Sequence, residues 1–188
     1  MTGRRQHYAH FYDLLPLPRD ERPLLVVHGN CQAESLRVLL AGSMRSVRVP
    51  PVHELERDDL PHLRRTLAHA SVLLSQPVRP DYRDLPLGTA QVTAALPSGA
   101  KTVLFPVMRY AGLFPFQAIV RSPAGDPPVV PYHDLRTLVQ SVTGTAPGRA
   151  ASASAYRAVA AQSLEELRSR EHRHGLIPVS DLLPFRLL

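Results

Sequence analysis

The sequence predicts an α/β fold in which an open, mostly parallel sheet of about four to five strands carries helices on both faces. Two observations predict this fold. Short apolar runs rich in β-branched residues recur along the chain and end at glycine, proline or polar residues, as buried strands do. Between these runs lie segments whose apolar residues recur at the spacing of a helix with one buried face. Strands separated by helices favour parallel pairing, with helices packed on both faces of the sheet.

The first strand and the first helix are the clearest elements. The run Leu24–His28 is apolar and β-branched until it meets a Gly-Asn pair, after which apolar residues follow at helical spacing, at Leu36, Leu39 and Leu40. We therefore expect a strand, a tight turn, and a helix that begins near Asn30 or Cys31 and ends near Gly42. The other predicted strands span residues 46–49, 71–75, 101–105, 117–120 and 177–180. The other predicted helices span residues 57–70, 89–96, 134–142 and 154–174.

The bulk composition is that of an ordinary globular protein, with 44% hydrophobic and 20% charged residues. The length predicts one domain over residues 1–188. No apolar run approaches the roughly 18 to 20 residues that cross a bilayer. Residues 1–20 lack the apolar core and cleavage site of a secretory signal, so we expect a cytoplasmic protein that does not bind membranes. A single cysteine excludes an internal disulfide, and the histidines lack metal-ligand spacing, so we expect no metal.

The charge balance is basic, with 22 basic against 16 acidic side chains and a net charge of +6. Such a balance favours a phosphate-bearing partner, either nucleic acid or a nucleotide-like cofactor. The arginines are scattered and no aromatic residues are interleaved with them to stack bases, so we do not expect a nucleic-acid partner. Arginine in place of lysine is also what a GC-rich genome produces, and this explanation stays open.

The only cysteine, Cys31, lies at the turn between the first strand and the first helix. The first N–H groups of a helix lack internal partners, and together with the partial charge of the helix end they favour a thiolate over a thiol. The turn thus offers a nucleophile and oxyanion donors, the donors being Asn30 and the amides of Cys31 and Gln32. The alternatives are a small buried hydrophobe for the cysteine and a simple N-cap for the asparagine.

A general base is harder to place, because several histidines compete. His28 lies on the strand that leads into the turn, while His133 precedes Asp134 at the predicted start of a helix. His53 follows the second predicted strand. We rank His28 slightly ahead of His133 as the catalytic base, and the alternative for each is a surface or capping role.

Polar residues follow several of the predicted strands, at the edge where parallel sheets bind ligands. Gln76 either orients an acyl carbonyl or satisfies loop amides. Arg79, Arg83 and Arg109 are placed to clamp phosphates, because a guanidinium group matches phosphate oxygens two at a time. Three aromatic residues are placed to line an apolar slot for an acyl or pantetheine arm, namely Tyr110, Phe114 and Phe116. Taken singly, each arginine is equally an exposed loop residue, and the aromatic residues need no role beyond the core.

The tetrapeptide Gly29-Asn30-Cys31-Gln32 after a first strand resembles the signature of the WcbI-type family, which is named for a capsule-polysaccharide biosynthesis enzyme. Further blocks resemble the family in the same order, at residues 75–79, 82–83, 87–89, 105–107, 110–115 and 180–181. Together they span most of the chain. The family continues into a segment that carries an Asn-His-Pro, whereas this sequence stops at Leu188, so we expect a C-terminal segment of the family to be missing here.

The resemblance implies a Rossmann-like or SGNH-hydrolase-like sheet and acyl (acetyl) transfer with coenzyme A as ligand. We expect Gly29 and Gln32 to contact the cofactor together with Gln76, the three arginines and Tyr110. We therefore expect a cysteine-dependent acyltransferase that moves the acyl group of acyl-coenzyme A to a hydroxyl or amine of a sugar-like or small-molecule acceptor.

Three alternatives stay open. One is an esterase or thioesterase on the same scaffold, with water as the acceptor. The SGNH hydrolases carry a terminal Asp-x-x-His, and here Asp181 is followed by Pro184 in the place of that histidine. The second alternative is a coenzyme A or nucleotide-binding module without chemistry. The third is nucleic-acid binding, which the basic charge balance favours and the scattered arginines disfavour. Homo-oligomerisation is compatible with any of these functions.

Overall fold

The structure is a computed structural model and describes residues 3–119, 132–145 and 152–183. The chain divides into two compact units. The first comprises Met1–Met108 and Arg170–Ile177, and the second comprises Arg109–Ser169 and Pro178–Leu188. The prediction of a single domain stays a prediction, and each unit is described by itself.

The first unit is built on a parallel four-stranded sheet, which confirms the predicted fold class. Its strands are β1 (Leu24–His28), β2 (Arg45–Ser46), β3 (Val72–Ser75) and β4 (Lys101–Leu104). Their order in the sheet is β2-β1-β3-β4, and each neighbouring pair is parallel. All five residues of β1 are buried, as expected of an inner strand that is covered on both faces.

Helices and short helical turns cover both faces of this sheet. The helices are α1 (Gly3–His7), α2 (Gln32–Leu39), α3 (Leu60–Leu67) and α4 (Thr89–Thr93), and a 3₁₀ turn at Arg57–Asp59 leads into α3. Leu24 and Val26 face a core that includes the buried leucines of α3 and Val92 of α4. Leu25 and Val27 face the opposite core, with Ala33 of α2. The alternation of side chains along β1 therefore separates two hydrophobic cores.

The segment before β1 completes the first core. Tyr8, Phe11 and Tyr12 are buried in this core, so the proline-containing segment before β1 packs against the sheet and its helices. The Tyr12 hydroxyl donates to Oδ1 of the buried Asp59 over 2.8 Å, and Nη2 of Arg4 donates to Oδ2 over 3.0 Å. Burial raises the pKa of Asp59, but hydrogen bonds from the Glu56 amide and from these two side chains more than offset it, so the pKa lies below its ordinary value.

The second unit contains a two-stranded antiparallel sheet and helices. Its elements are β5 (Gln117–Ile119), β6 (Tyr132–Asp134), α5 (Leu135–Thr143) and α6 (Ala153–His174), the last of which ends in the first unit. The predicted strand at 117–120 therefore pairs antiparallel with β6 rather than with the parallel sheet, and its residue 120 lies outside the described residues. The strand predicted at 177–180 is wrong, because Val179–Leu182 forms a 3₁₀ turn.

Candidate functional site

The topology of the sheet places a switch point, where an open parallel sheet is expected to form a crevice, at the carboxyl ends of β1 and β3. These two strands are neighbours in the sheet, but the helices that follow them pack on opposite faces. The helix after β1 is α2, which covers the face of Leu25 and Val27. The helix after β3 is α4, which covers the face of Leu24 and Val26. Parallel α/β sheets bind ligands at such a switch point, because the two connections diverge there. The segments that border it are residues 29–32 after β1 and residues 76–79 after β3.

Cys31 lies at this crevice and is exposed. It is the N-cap residue of α2, with helical backbone angles, and its side chain forms no capping hydrogen bond. The amide of Gln32 donates to Oδ1 of Asn30 over 2.9 Å, so it is not available to an oxyanion as the sequence had indicated. Within the described part of the chain, the amide of Cys31 has no acceptor, and it remains the backbone donor beside the thiol.

Gln76 fixes the shape of the turn that carries Cys31. Its side chain is buried, and its Oε1 accepts a hydrogen bond of 2.8 Å from the amide of Asn30. A Cβ atom on Gly29 would lie 2.6 Å from this oxygen, so the glycine lets the Gln76 side chain cross directly over the backbone. Of the two roles predicted for Gln76, the contacts in this structure are those of a residue that satisfies a loop amide.

The side chain of Gln32 continues this network to the end of β4. Its Oε1 accepts from Nε2 of Gln76 over 3.3 Å and from the amide of Met108 over 3.0 Å. Its Nε2 donates to the carbonyl of Met108 over 2.6 Å. The side-chain amides of Gln76, which is buried, and Gln32, which is half-buried, thus join the loops that follow β1, β3 and β4 into one hydrogen-bonded edge.

His28 is buried beneath the turn. Its Nε2 lies 2.9 Å from the carbonyl oxygen of Leu87, and only 2% of the residue is exposed. Burial lowers the pKa of His28, although the hydrogen bond to this carbonyl acts in the opposite direction. The imidazole is therefore neutral near pH 7, which suits a base, but the carbonyl already occupies its Nε2.

The loop after β3 is held by hydroxyl and amide groups and contains strained backbone. Thr89 Oγ1 donates to the Gln76 carbonyl over 2.9 Å, and Gln91 Oε1 accepts from the amides of Asp81 and Gly88. Left-handed backbone is adopted by three residues that are not glycine, at Asp81, Arg83 and Asp84. Such residues are costly and cluster at functional sites.

Arg79 and Arg83 project from this loop and are exposed. The Arg79 guanidinium lies 6.0 Å from the centre of the Tyr82 ring, and Nη1 of Arg83 donates to the carbonyl of His53. Both predicted phosphate-binding arginines therefore belong to the loop that borders the crevice. Arg109, Tyr110 and His133 belong to the second unit, so they are described apart from Cys31.

Three groups at this edge have bonding roles that the sequence did not predict. They are the Met108 backbone, the hydroxyl of Thr89 and the side-chain amide of Gln91. The signal for the last two is their place in the first turn of a helix that follows Gly88, where backbone groups require capping. Among the described residues, no cluster of three or more His, Cys, Asp or Glu side chains is able to hold a metal ion. The same part of the chain contains no helix with the length and apolar character required to cross a bilayer.

The fold and the site define an α/β protein with a switch-point crevice and an exposed cysteine at its first strand-to-helix turn. A family model described as "Polysaccharide biosynthesis enzyme WcbI" matches residues 24–187, so the chain belongs to the WcbI family of polysaccharide biosynthesis enzymes. This result confirms the predicted family.

A solved structure with a similar fold is described as native WcbI, a novel polysaccharide biosynthesis enzyme, without a disulfide bond between coenzyme A and a cysteine. The match has a TM-score of 0.68 and 21% sequence identity, and it covers 87% of this chain. The chain spans 59% of the length of that protein. A search among curated proteins found no match.

Proposed function

We propose that this protein is an acyltransferase that uses Cys31 to move an acyl group from acyl-coenzyme A to a hydroxyl or amine of a saccharide or small-molecule acceptor. The observation that carries the proposal is the exposed thiol at the switch-point crevice, beside an amide without an acceptor among the described residues. Membership of a polysaccharide biosynthesis family supports it, as does the coenzyme A named for the solved WcbI structure.

The chemistry follows from the groups at the turn. The Cys31 thiolate attacks the carbonyl carbon of the thioester, so that a new S–C bond forms and the oxygen becomes an oxyanion. The amide of Cys31 and the side-chain NH₂ of Asn30 are the donors nearest in sequence for that charge. Collapse breaks the original S–C bond and releases coenzyme A as a thiolate. The acceptor hydroxyl or amine then takes the acyl group from Cys31 and gives its proton to a base.

His28 and His133 remain the candidate bases in this proposal. His28 is neutral, but its bond to the Leu87 carbonyl makes it better suited to positioning the turn than to exchanging protons. Arg79 and Arg83 are proposed to hold the cofactor phosphates, because both project from the strained loop beside the crevice. Arg109, Tyr110, Gly29, Gln32 and Gln76 retain their predicted cofactor-binding roles as part of the same proposal.

The test is incubation of the full chain with acetyl-coenzyme A, followed by intact-mass and peptide mass spectrometry. We expect one acetyl group on Cys31, no adduct in Cys31→Ala, and an unchanged adduct in the control Ser35→Ala, which alters an exposed residue of the same helix. Release of coenzyme A is then measured with and without a saccharide acceptor.

The outcomes separate the alternatives. Release that needs an acceptor supports a transferase, whereas release into water alone indicates a thioesterase. Tight binding of coenzyme A without release indicates a binding module. Equal release by the wild type and by Cys31→Ala contradicts the nucleophilic role of the cysteine.

A further inference from the structure

We propose that the second unit carries a saccharide-binding pocket, in which exposed aromatic rings at β5 and β6 pack against the sugar and a neutralised charge pair bonds its hydroxyls. The pocket has a volume of about 420 Å³, within the range of small-molecule sites. It deepens the proposed function, because the bound saccharide is the acceptor, but its binding is measurable without any acyl transfer.

The first argument is the exposure of two aromatic rings. Phe114 is 67% exposed and Tyr132 is 56% exposed, and among the described residues they are the only aromatic side chains with such large exposed fractions. Both line this one pocket. Leaving large apolar rings in water is unfavourable, and a ligand that covers them recovers that free energy.

The backbone holds these rings in place. The Gln117 amide donates to the carbonyl of Phe114 over 3.0 Å, and the Leu135 amide donates to the carbonyl of Phe116 over 2.9 Å. Ile119 pairs with Tyr132 in the β5–β6 ladder. The two residues that carry the exposed rings therefore belong to hydrogen-bonded backbone in or next to the β5–β6 sheet.

The wall of the pocket is aromatic but already packed. Phe116 meets Tyr156 edge to face, with ring centres 6.0 Å apart. The Arg136 guanidinium lies 4.6 Å from the centre of the Phe116 ring. One ring face is thus covered by protein, so Phe114 and Tyr132 supply the aromatic surface that a ligand reaches.

The charges of the pocket cancel, which selects the class of ligand. Nη2 of Arg136 lies 2.6 Å from Oδ2 of Asp134, and its Nε also donates to Oδ1. The hydrogen bonds from Arg136 lower the pKa of Asp134 to about 2, so the carboxylate stays charged and neutralises the arginine. An anionic ligand therefore finds the Arg136 guanidinium already compensated by Asp134.

A neutral polyhydroxyl ligand satisfies all of these features. The C–H bonds on one face of a sugar ring carry slight positive charge and pack against the negative face of an aromatic ring. Hydroxyl groups both donate and accept hydrogen bonds. The rim of the pocket offers the Asp134 carboxylate as an acceptor, the Arg136 guanidinium as a donor and the side-chain amide of Gln117 as both. A nucleobase also stacks on aromatic rings, but it is joined in nucleotides to phosphates that this neutral pocket does not attract.

Ligand-observed saturation-transfer NMR of the full chain without coenzyme A tests the proposal. The probes are the methyl glycosides of glucose, galactose and mannose, an oligosaccharide of the same sugars, adenosine and inorganic phosphate. We expect saturation of the ring C–H protons of at least one saccharide. Phe114→Ala and Tyr132→Ala are each expected to weaken its affinity about 2- to 10-fold. Both rings are exposed, so these variants should fold.

Two controls locate the effect. Val142→Ala removes another exposed apolar side chain of the same unit that does not line the pocket, and it should leave saccharide affinity unchanged. Cys31→Ala should also retain saccharide binding, even though the proposed function predicts that it loses acyl transfer. Binding lost in Cys31→Ala overturns the assignment to the second unit.

The proposal is overturned if no saccharide binds, if adenosine or phosphate binds instead, or if both aromatic variants bind saccharide as the wild type does. Acetylation of Cys31 in the absence of saccharide binding leaves the proposed function standing and removes this pocket from it. Saccharide binding without acetylation of Cys31 leaves this pocket standing and contradicts the proposed acyl transfer.

Discussion

Replacing Gln76 by alanine should destabilise the first unit and disorder the turn that carries Cys31. The substitution removes the acceptor of the Asn30 amide, whose bond is 2.8 Å long, and the donor to Gln32, whose bond is 3.3 Å long. An amide left unsatisfied in a part-buried site costs about 1–3 kcal/mol. The longer second bond adds about 0.5–1 kcal/mol. We expect a total loss of about 1.5–4 kcal/mol in the free energy of unfolding.

The measurement is urea unfolding followed by far-ultraviolet circular dichroism, because the chain has no tryptophan to serve as a fluorescent probe. For a protein of this size, the expected loss lowers the melting temperature by roughly 3–16 °C. Ser35→Ala, at an exposed position of α2, is the control and should stay within about 0.5 kcal/mol of the wild type. Gln76→Glu retains an oxygen for the Asn30 amide but buries a carboxylate beside Oε1 of Gln32, so it should also be destabilised. An alanine variant within about 0.5 kcal/mol of the wild type would refute this account of the turn.

A double-mutant cycle with Gly29 sharpens the test. Gly29→Ala places a Cβ atom 2.6 Å from Oε1 of Gln76, and overpacking of this kind typically costs about 1–3 kcal/mol. In the Gln76→Ala background the obstructing side chain is absent, so the same substitution should cost much less. We expect a coupling free energy of about 1 kcal/mol or more between the two positions. Strict additivity would show that the side chain does not lie over the glycine.

Three further predictions concern the buried polar groups and the loop after β3. Because burial lowers the pKa of His28, the unfolded chain binds a proton that the folded protein excludes. The free energy of unfolding should therefore fall as the pH drops below about 6.5. His28→Gln should reduce this pH dependence in urea titrations at pH 5.5 and 7.5. Tyr12→Phe removes a hydrogen bond to the charged Asp59 and should lower the free energy of chemical unfolding by about 1.5–3 kcal/mol. The control Tyr82→Phe should change it by no more than about 0.5 kcal/mol. Equal effects of the two substitutions would argue against the Tyr12–Asp59 bond. Gly88→Ala should cost about 1–3 kcal/mol in thermal melts, because its Cβ would lie 2.7 Å from a backbone carbon of the same loop, and an unchanged melting temperature would contradict that packing.

The parallel sheet was predictable because its strands are buried on both faces. Leu24–His28 is an uninterrupted apolar run up to its last residue, and its complete burial matches that pattern. The short run at 177–180 misled the prediction, since four apolar or small residues fit a buried strand and a helical turn equally well. The antiparallel pairing of β5 depends on a partner strand that follows a proline-rich stretch of the sequence. No local sequence pattern predicts this pairing.

The location of the candidate site was also predictable, but its internal bonding was not. The switch from strand spacing to helical spacing at Gly29 marks the turn and places Cys31 on it. Asn30 illustrates this point, because its Oδ1 accepts the Gln32 amide as a helix cap while its side-chain NH₂ is the group that the proposed oxyanion role requires. The composition of the sequence likewise leaves open which of the two roles Gln76 takes, because its partner lies on another strand's loop.

The bonds that define the turn join positions far apart along the chain, which has a consequence for folding. Asn30 and Gln76 are separated by 46 residues, and Gln32 and Met108 by 76 residues. Contacts of such long range form late, because chain entropy opposes loop closure until the intervening strands have docked. The thiol environment should therefore be among the last features acquired during refolding. The rate at which the Asn30 amide gains protection from hydrogen exchange during refolding would then report complete assembly of this edge of the sheet.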